Sequence, residues 1–273
     1  GEVTRRAFEV SEGVKVYLEA VGMRSTEVLD PIAITPPGQL AQFESVGTPR
    51  DWMIEGSIRE DDFQPHPGCR QPLNPPSAMD RPLNHFFDVQ RGGRGLTVLG
   101  LEPGFPAPDW ALGLQGRGPD DTQNQFSVLD ARVYQLRSLT APTRDERDRN
   151  TALLFRTLGH VIHALEDMGQ PQHTRNDPHA GCFQFIAGEH SWFEDYMETR
   201  ARGITFRRRS LPSGPLLLDG YPPVSFEAYR DYWANPSLSG LADFSSRNFL
   251  SAGTNLGIGN CDGLLDPSCS PDA

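Results

Sequence analysis

Three histidines and two aspartates fall within LGHVIHALEDMGQPQHTRND, residues 158–177, in a 273-residue chain with seven histidines in all. His163 and Asp167 are spaced i and i+4, so on a helix both side chains leave the same face one turn apart. Pro171 cannot continue that helix, so the chain must turn, which brings His173 back towards the same spot. His190 and Glu194 repeat the i, i+4 spacing in GEHSWFEDY. Two helices that each offer an imidazole and a carboxylate carry the ligand chemistry zinc takes in catalytic sites. A single His/Asp pair on a helix is ordinarily a surface hydrogen bond. Here Leu158, Ile162, Leu165 and Met168 give the helix a core face, and several ionisable groups beside a core are costly unless they pair or bind a metal. The spacing therefore predicts a metal site of open nuclearity.

The other histidines and basic groups read more plainly. His160 is partly on the face of His163 and is expected to be structural or supporting. His66 in QPHPG and His179 in NDPHAG are expected in loops, solvated in the ordinary way. Arg207, Arg208 and Arg209 form a basic run expected on a solvated face.

The elements that must position these residues are mostly helical. TRRAFEVSEGVKVYLEAV, residues 4–21, places Ala7, Val10, Val14, Tyr17 and Val21 at helical intervals before Gly22, which predicts one helix. Thr48 as N-cap and Pro49 at the first helical position start a second, running to about Asp61. Residues 62–118 are dense in Pro and Gly and read as a long irregular excursion over a functional surface, with NHFFDVQ as an apolar knot and LTVLGL as a short strand. Asp120 or Asp121 is expected to cap a helix over QNQFSVLDARVYQLRSL, and Thr143 one over residues 144–168. Further helices are expected in SWFEDYMETRAR, FEAYRDYWA and ADFSSRNFLSAGTN. The fold expected is mainly α, a single multi-helix domain over residues 1–254 with long loops over the metal site, followed by a Cys-containing tail or linker over 255–273.

A net charge of −11 disfavours holding a polyanion by charge alone, because phosphate backbones are bound by releasing counterions to Lys and Arg. No run of eighteen apolar residues is present, so no transmembrane segment is expected. Cys261 and Cys269 are close enough to close a small loop, and Cys69 and Cys182 are left to pair or stay free. Disulfides would fit a secreted or periplasmic protein.

The combined motifs resemble the zinc-dependent phospholipase C and S1/P1 nuclease superfamily. HALED from His163 to Asp167, followed by QPQH ending at His173, is similar to its HxxxD…QPxH core. HSWFE from His190 to Glu194 is similar to the HxxxE segment of bacterial phospholipases C, where the nucleases commonly carry HxxxD. NHFFD around His85 resembles the segment that supplies a metal-binding histidine, and Asp61 stands where the family places a metal-binding aspartate, a few residues after a helix-ending glycine, here Gly56.

The resemblance implies one zinc held by Asp61, His85, His163 and Asp167 and a second by His173, His190 and Glu194. The family's third zinc uses an N-terminal Trp and a histidine at the start of the first helix. No Trp precedes Gly1 and no histidine precedes His66, so two zincs are expected in this chain, a third only with those upstream ligands, as if it were trimmed just downstream of them.

The activity implied is phosphodiester hydrolysis by a metal-activated water, with Asp61 as general base and Glu166 and Asp88 as groups that orient the histidines. Glu194 and the His85 segment favour a phospholipase C acting on phospholipid at a membrane surface. An S1/P1-type nuclease acting on single-stranded nucleic acid is the alternative, and a noncatalytic domain of a longer chain is a third reading. Asp62 stands where choline-specific relatives have a tyrosine, which points away from their aromatic recognition of a quaternary ammonium.

Overall fold

A computed structural model describes residues 2–29, 47–61, 81–97, 102, 104–114, 124–177 and 224–249. These residues are mainly helical, with α1 at Glu2–Val10, α2 at Glu12–Ala20, α3 at Pro49–Arg59, α4 at Ala107–Leu112, α5 at Val128–Thr140, α6 at Arg144–Glu166 and α7 at Leu241–Asn248. The helix predicted over 144–168 runs from Arg144 to Glu166, and among the described residues it is the one most of the others pack along. Its 23 residues span about 35 Å, and α3 and α5 pack along it.

Local chemistry starts these three helices in the same way. In each, a hydroxyl N-cap accepts from the third helical N–H while the acid at that position accepts from the cap's own N–H: Thr48 with Asp51, Ser127 with Asp130 and Thr143 with Glu146. Two backbone donors that the helix cannot satisfy are thereby satisfied at each start.

Several expectations are corrected. The first helix is two: Ser11 leaves helical geometry and its side chain accepts from Val14 N, so α1 ends and α2 begins there. Gly22, at φ +67°, does end α2. The helix containing VLDARVYQ starts at Val128 rather than after Asp120 or Asp121, because Ser127 supplies the complete capping box. FEAYRDYWA forms only a 3-10 turn, Tyr229–Tyr232. The 62–118 excursion contains the helix α4. Leu96 and Thr97 of LTVLGL are in no strand, and the β pairing among the described residues consists of isolated bridges, Leu29 with Gly47 and Asp88 with Arg94. SWFEDYMETRAR, His66, His179, Arg207–Arg209, the 254/255 boundary, the tail and all four cysteines lie outside the described residues.

Two apolar cores divide α6 between them. Around its N-terminal half, Phe8, Leu18, Trp52 and Met53 surround Ala152, Leu153 and Phe155, with Phe8 and Tyr17 edge-on to Phe155 at 5.4 and 5.9 Å. Around its C-terminal half, Phe87, Ala111, Leu112, Trp233 and Ala242 surround Ala164 and Met168. Burying the larger of these side chains contributes about 1.5–3 kcal/mol each, so α6 from Ala152 onward and the turn after it are fixed by packing. Where α3 crosses α6 the backbones nearly touch, because Gly56 lies against the Arg156 carbonyl and Gly159 against the Met53 carbonyl. The crossing places the last turn of α3 beside the last turns of α6.

Candidate metal centre

Four elements deliver side chains to this corner. Asp61 follows the last turn of α3, and His85 follows a 3-10 turn at Pro82–Asn84. His163 stands in the last turn of α6, and Asp167 is its C-cap, where the chain tightens into a 3-10 turn at Asp167–Gly169. His85 Nδ1 lies 2.9 Å from Asp167 Oδ2 and 3.4 Å from Asp61 Oδ1. His163 Nε2 lies 3.3 Å from each of the same two oxygens. The ligand atoms of Asp61, His85 and His163 all fall within 4.8 Å of one another. Two imidazole nitrogens and two carboxylate oxygens thus face one small volume.

The remaining ring nitrogens show how the rings are held. His163 Nδ1 donates to the Ser57 carbonyl at 2.6 Å, which aims Nε2 inward. His173 Nδ1 donates to the His85 carbonyl at 2.9 Å, and Phe87 N donates back to the His173 carbonyl at 2.8 Å. This reciprocal tie clips the turn after Pro171 to the His85 segment, with the His173 ring centre 6.2 Å from that of His85. Two of the inward atoms, His163 Nε2 and Asp167 Oδ2, are buried, make no hydrogen bond of good geometry and meet only across ion-pair contacts, 3.3 Å from each other and 2.9 Å from His85 Nδ1 to Asp167 Oδ2. A divalent cation bound between them would satisfy both more fully.

The electrostatics have the same centre. Burial pushes the His85 and His163 imidazoles down, but Asp167, helped by Asp61, outweighs it and holds both well above their ordinary value. Burial likewise pushes the carboxyls up, and the imidazoles overcome it: Asp61 is held at about 2, chiefly by His163, and Asp167 lies well below the carboxylate range through His163, His173 and His85. The Asp61 side chain is still 63% exposed, so one side of the cluster is open to solvent. With both imidazoles held well above their ordinary value, a metal competes with protons for these nitrogens. Zinc binding is therefore expected to release protons and to tighten as pH rises towards the elevated histidine pKa values. Calorimetry in buffers of different ionisation enthalpy measures that release; a pH-independent affinity with no proton release would contradict the assignment of these nitrogens as ligands.

Asp61, His85, His163 and Asp167 are brought together as a set. His173 stands beside them, and His190 and Glu194 lie outside the described residues. Gly56 does not end a helix, since α3 continues through it to Arg59. Among the described residues, the hydrogen bonds of Glu166 and Asp88 go to groups other than histidines. Glu166 Oε1 accepts from the Thr4 hydroxyl at 3.1 Å, and Asp88 accepts from the backbone N–H groups of Gln90 and Arg91.

His160 is structural: it is buried, stacked on Phe126 at 4.2 Å, and its Nδ1 lies 2.5 Å from Glu60 Oε2. Burial and the Arg81 charge push it down to about 3, so the ring is neutral. The buried residue missed in the sequence is Glu60. Its position in the acidic run of Glu60, Asp61 and Asp62 was visible, but its partners Arg81, Trp110 and His160 are distant in the chain.

Compared with models of known protein families, with curated proteins and with solved structures, the chain matches none.

Proposed function

We propose that this chain is a zinc-dependent phosphodiester hydrolase of the phospholipase C type. The observation that carries the reading is the convergence of Asp61, His85, His163 and Asp167 on one volume, with buried inward atoms left without hydrogen-bond partners. Two imidazoles and two carboxylates form a nitrogen and oxygen set that suits zinc. The sequence resemblance adds the reaction and a second zinc held by His173, His190 and Glu194. Bound zinc would lower the pKa of a water towards ~7 and neutralise charge on the phosphoryl oxygens.

The chain's own residues do the rest. Ser57 and His85 present carbonyls that hold His163 and His173 in one ring orientation. Asp61 is ionised and open to solvent on one side, so it can accept a hydrogen bond from the attacking water and orient it. With so low a pKa it stores a proton poorly, so its part is to accept a hydrogen bond from the water and orient it, the water's proton leaving to bulk solvent on the open side of Asp61. Phospholipid is favoured over nucleic acid by Glu194 and by the net charge of −11.

The test is metal content by plasma emission on purified protein, beside hydrolysis of phosphatidylcholine vesicles and of single-stranded DNA. The expected result is two zincs per chain, with release of diacylglycerol and of a phosphorylated head group, and DNA left intact. DNA cleavage in place of lipid cleavage would establish the nuclease reading instead. Absence of both zinc and activity would overturn the proposal.

A further inference from the structure

The Glu60 carboxylate is 1% exposed, yet it sits at the end of a helix beside an exposed neighbour, Asp61, and all of its acceptor capacity is directed inward. Oε2 accepts from Arg81 Nε at 3.0 Å and from a second Arg81 nitrogen, and lies 2.5 Å from His160 Nδ1. Oε1 accepts from Trp110 Nε1 at 2.9 Å and stands 3.5 Å from His85 Nε2. His85 Nε2 is buried and makes no hydrogen bond. His85, itself 1% exposed, therefore has carboxylates on both sides: Nδ1 faces Asp61 and Asp167 in the metal volume and Nε2 faces Glu60.

Ligating histidines ordinarily donate their second ring N–H to a carboxylate or carbonyl, which fixes the tautomer and strengthens the ligand. His163 and His173 give their Nδ1–H to carbonyls. For His85 the corresponding position is filled by Glu60. The Arg81, Trp110 and His160 contacts fix the carboxylate before any metal arrives, so it cannot swing away to solvent.

We infer that Glu60 is a positioning residue for the metal centre: it holds His85 with Nε2–H directed at Oε1, so that Nδ1 is the nitrogen presented to the metal. The inference rests on the metal-site reading of Asp61, His85, His163 and Asp167. It makes His85 the one histidine of the described cluster that would ligate through Nδ1. It also ties the C-terminal end of α3, followed directly by Glu60 and Asp61, to the ligand on the neighbouring loop. The group is set by its neighbours: Glu60→Gln keeps an acceptor for Trp110 but removes the negative charge facing His85.

The test is zinc affinity by competition with a chromophoric chelator, together with nitrogen-15 correlation spectra of histidine-labelled, zinc-loaded protein. Glu60→Gln is expected to weaken zinc about 10–100-fold, while Trp110→Phe, which removes another Glu60 partner without touching the charge, loses folding stability but changes zinc affinity less than threefold. In the wild-type spectrum His85 is expected as the Nε2–H tautomer with Nδ1 bound. That measurement needs no variant, so it decides the matter even if Glu60→Gln does not fold. Unchanged zinc affinity in a folded Glu60→Gln protein, equal weakening in Trp110→Phe, or His85 bound through Nε2 would overturn the inference alone. A wild-type protein that takes up no zinc would overturn the metal reading beneath it.

Discussion

Replacing His163 with alanine is expected to abolish the proposed phosphodiester hydrolysis and to strip the zinc proposed to sit with Asp61, His85 and Asp167. His163 Nε2 lies 3.3 Å from both Asp61 and Asp167, so with His85 it holds these two carboxyls low side by side. Without it, one imidazole has to serve two acids, and the site loses a nitrogen ligand as well. The loss of affinity should exceed the ~10–100-fold typical of removing a group that only supports a ligand. Atomic emission on the dialysed variant would show it, and a fully active His163→Ala protein would sink the assignment.

His160→Ala is the informative contrast. His160 is a helical turn away from His163 on α6, but its ring stacks on Phe126 and its Nδ1 is directed at Glu60 rather than at the metal volume. Truncating a buried ring leaves a cavity, and a loss of roughly 3 kcal/mol of stability is expected. Zinc should still be bound at temperatures where the variant is folded. Two histidines three residues apart thus separate into one whose loss is read in metal content and one whose loss is read in the melting temperature.

What the sequence revealed about this corner was local in nature. The Thr143 cap, the i, i+4 pair of His163 and Asp167 and the proline at 171 each act within a few residues, so they could be recognised along the chain, and the structure shows the resulting helix from Arg144 to Glu166. The break at Ser11 was missed for a local reason: apolar residues recur at helical spacing through residues 7–21, and that pattern hides a second cap in the middle. The missing Glu60 network has a different cause. Its contacts join residues 60, 81, 110 and 160, and no periodicity or cap records a pairing across such separations. The same holds for the carbonyls of Ser57 and His85, which orient two histidines through the backbone and leave no trace in residue type. Among the described residues, Asp88 and Glu166, picked for their acidic side chains next to ligands, close a turn and meet Thr4.

Adding one methyl group where α3 crosses α6 is expected to cost more than any substitution of a surface charge. A Cβ built on Gly159 would lie 2.0 Å from the Met53 carbonyl oxygen, 2.8 Å from Ser57 N and 3.0 Å from Gly56 Cα. One built on Gly56 would lie 1.9 Å from the Arg156 carbonyl oxygen. Every one of these atoms is backbone, so no side chain can turn aside, and the helices must move apart.

In an isolated helix alanine would be preferred over glycine by about 1 kcal/mol, so the sign of the change separates the two influences. Gly159→Ala should destabilise the protein by roughly 3 kcal/mol or more, since overpacking of this kind ordinarily costs 1–3 kcal/mol even where side chains can shift. Function should fall along with stability, because the same crossing sets the distance between Asp61 after α3 and His163 on α6. An outward shift of about 1 Å would stretch the 3.3 Å Asp61–His163 contact and open the ligand set. Gly159→Ala is therefore expected to bind zinc more weakly even below its melting temperature, although it removes no ligand. A stabilised Gly159→Ala protein with undiminished zinc affinity would mean that the two helices do not meet at these glycines.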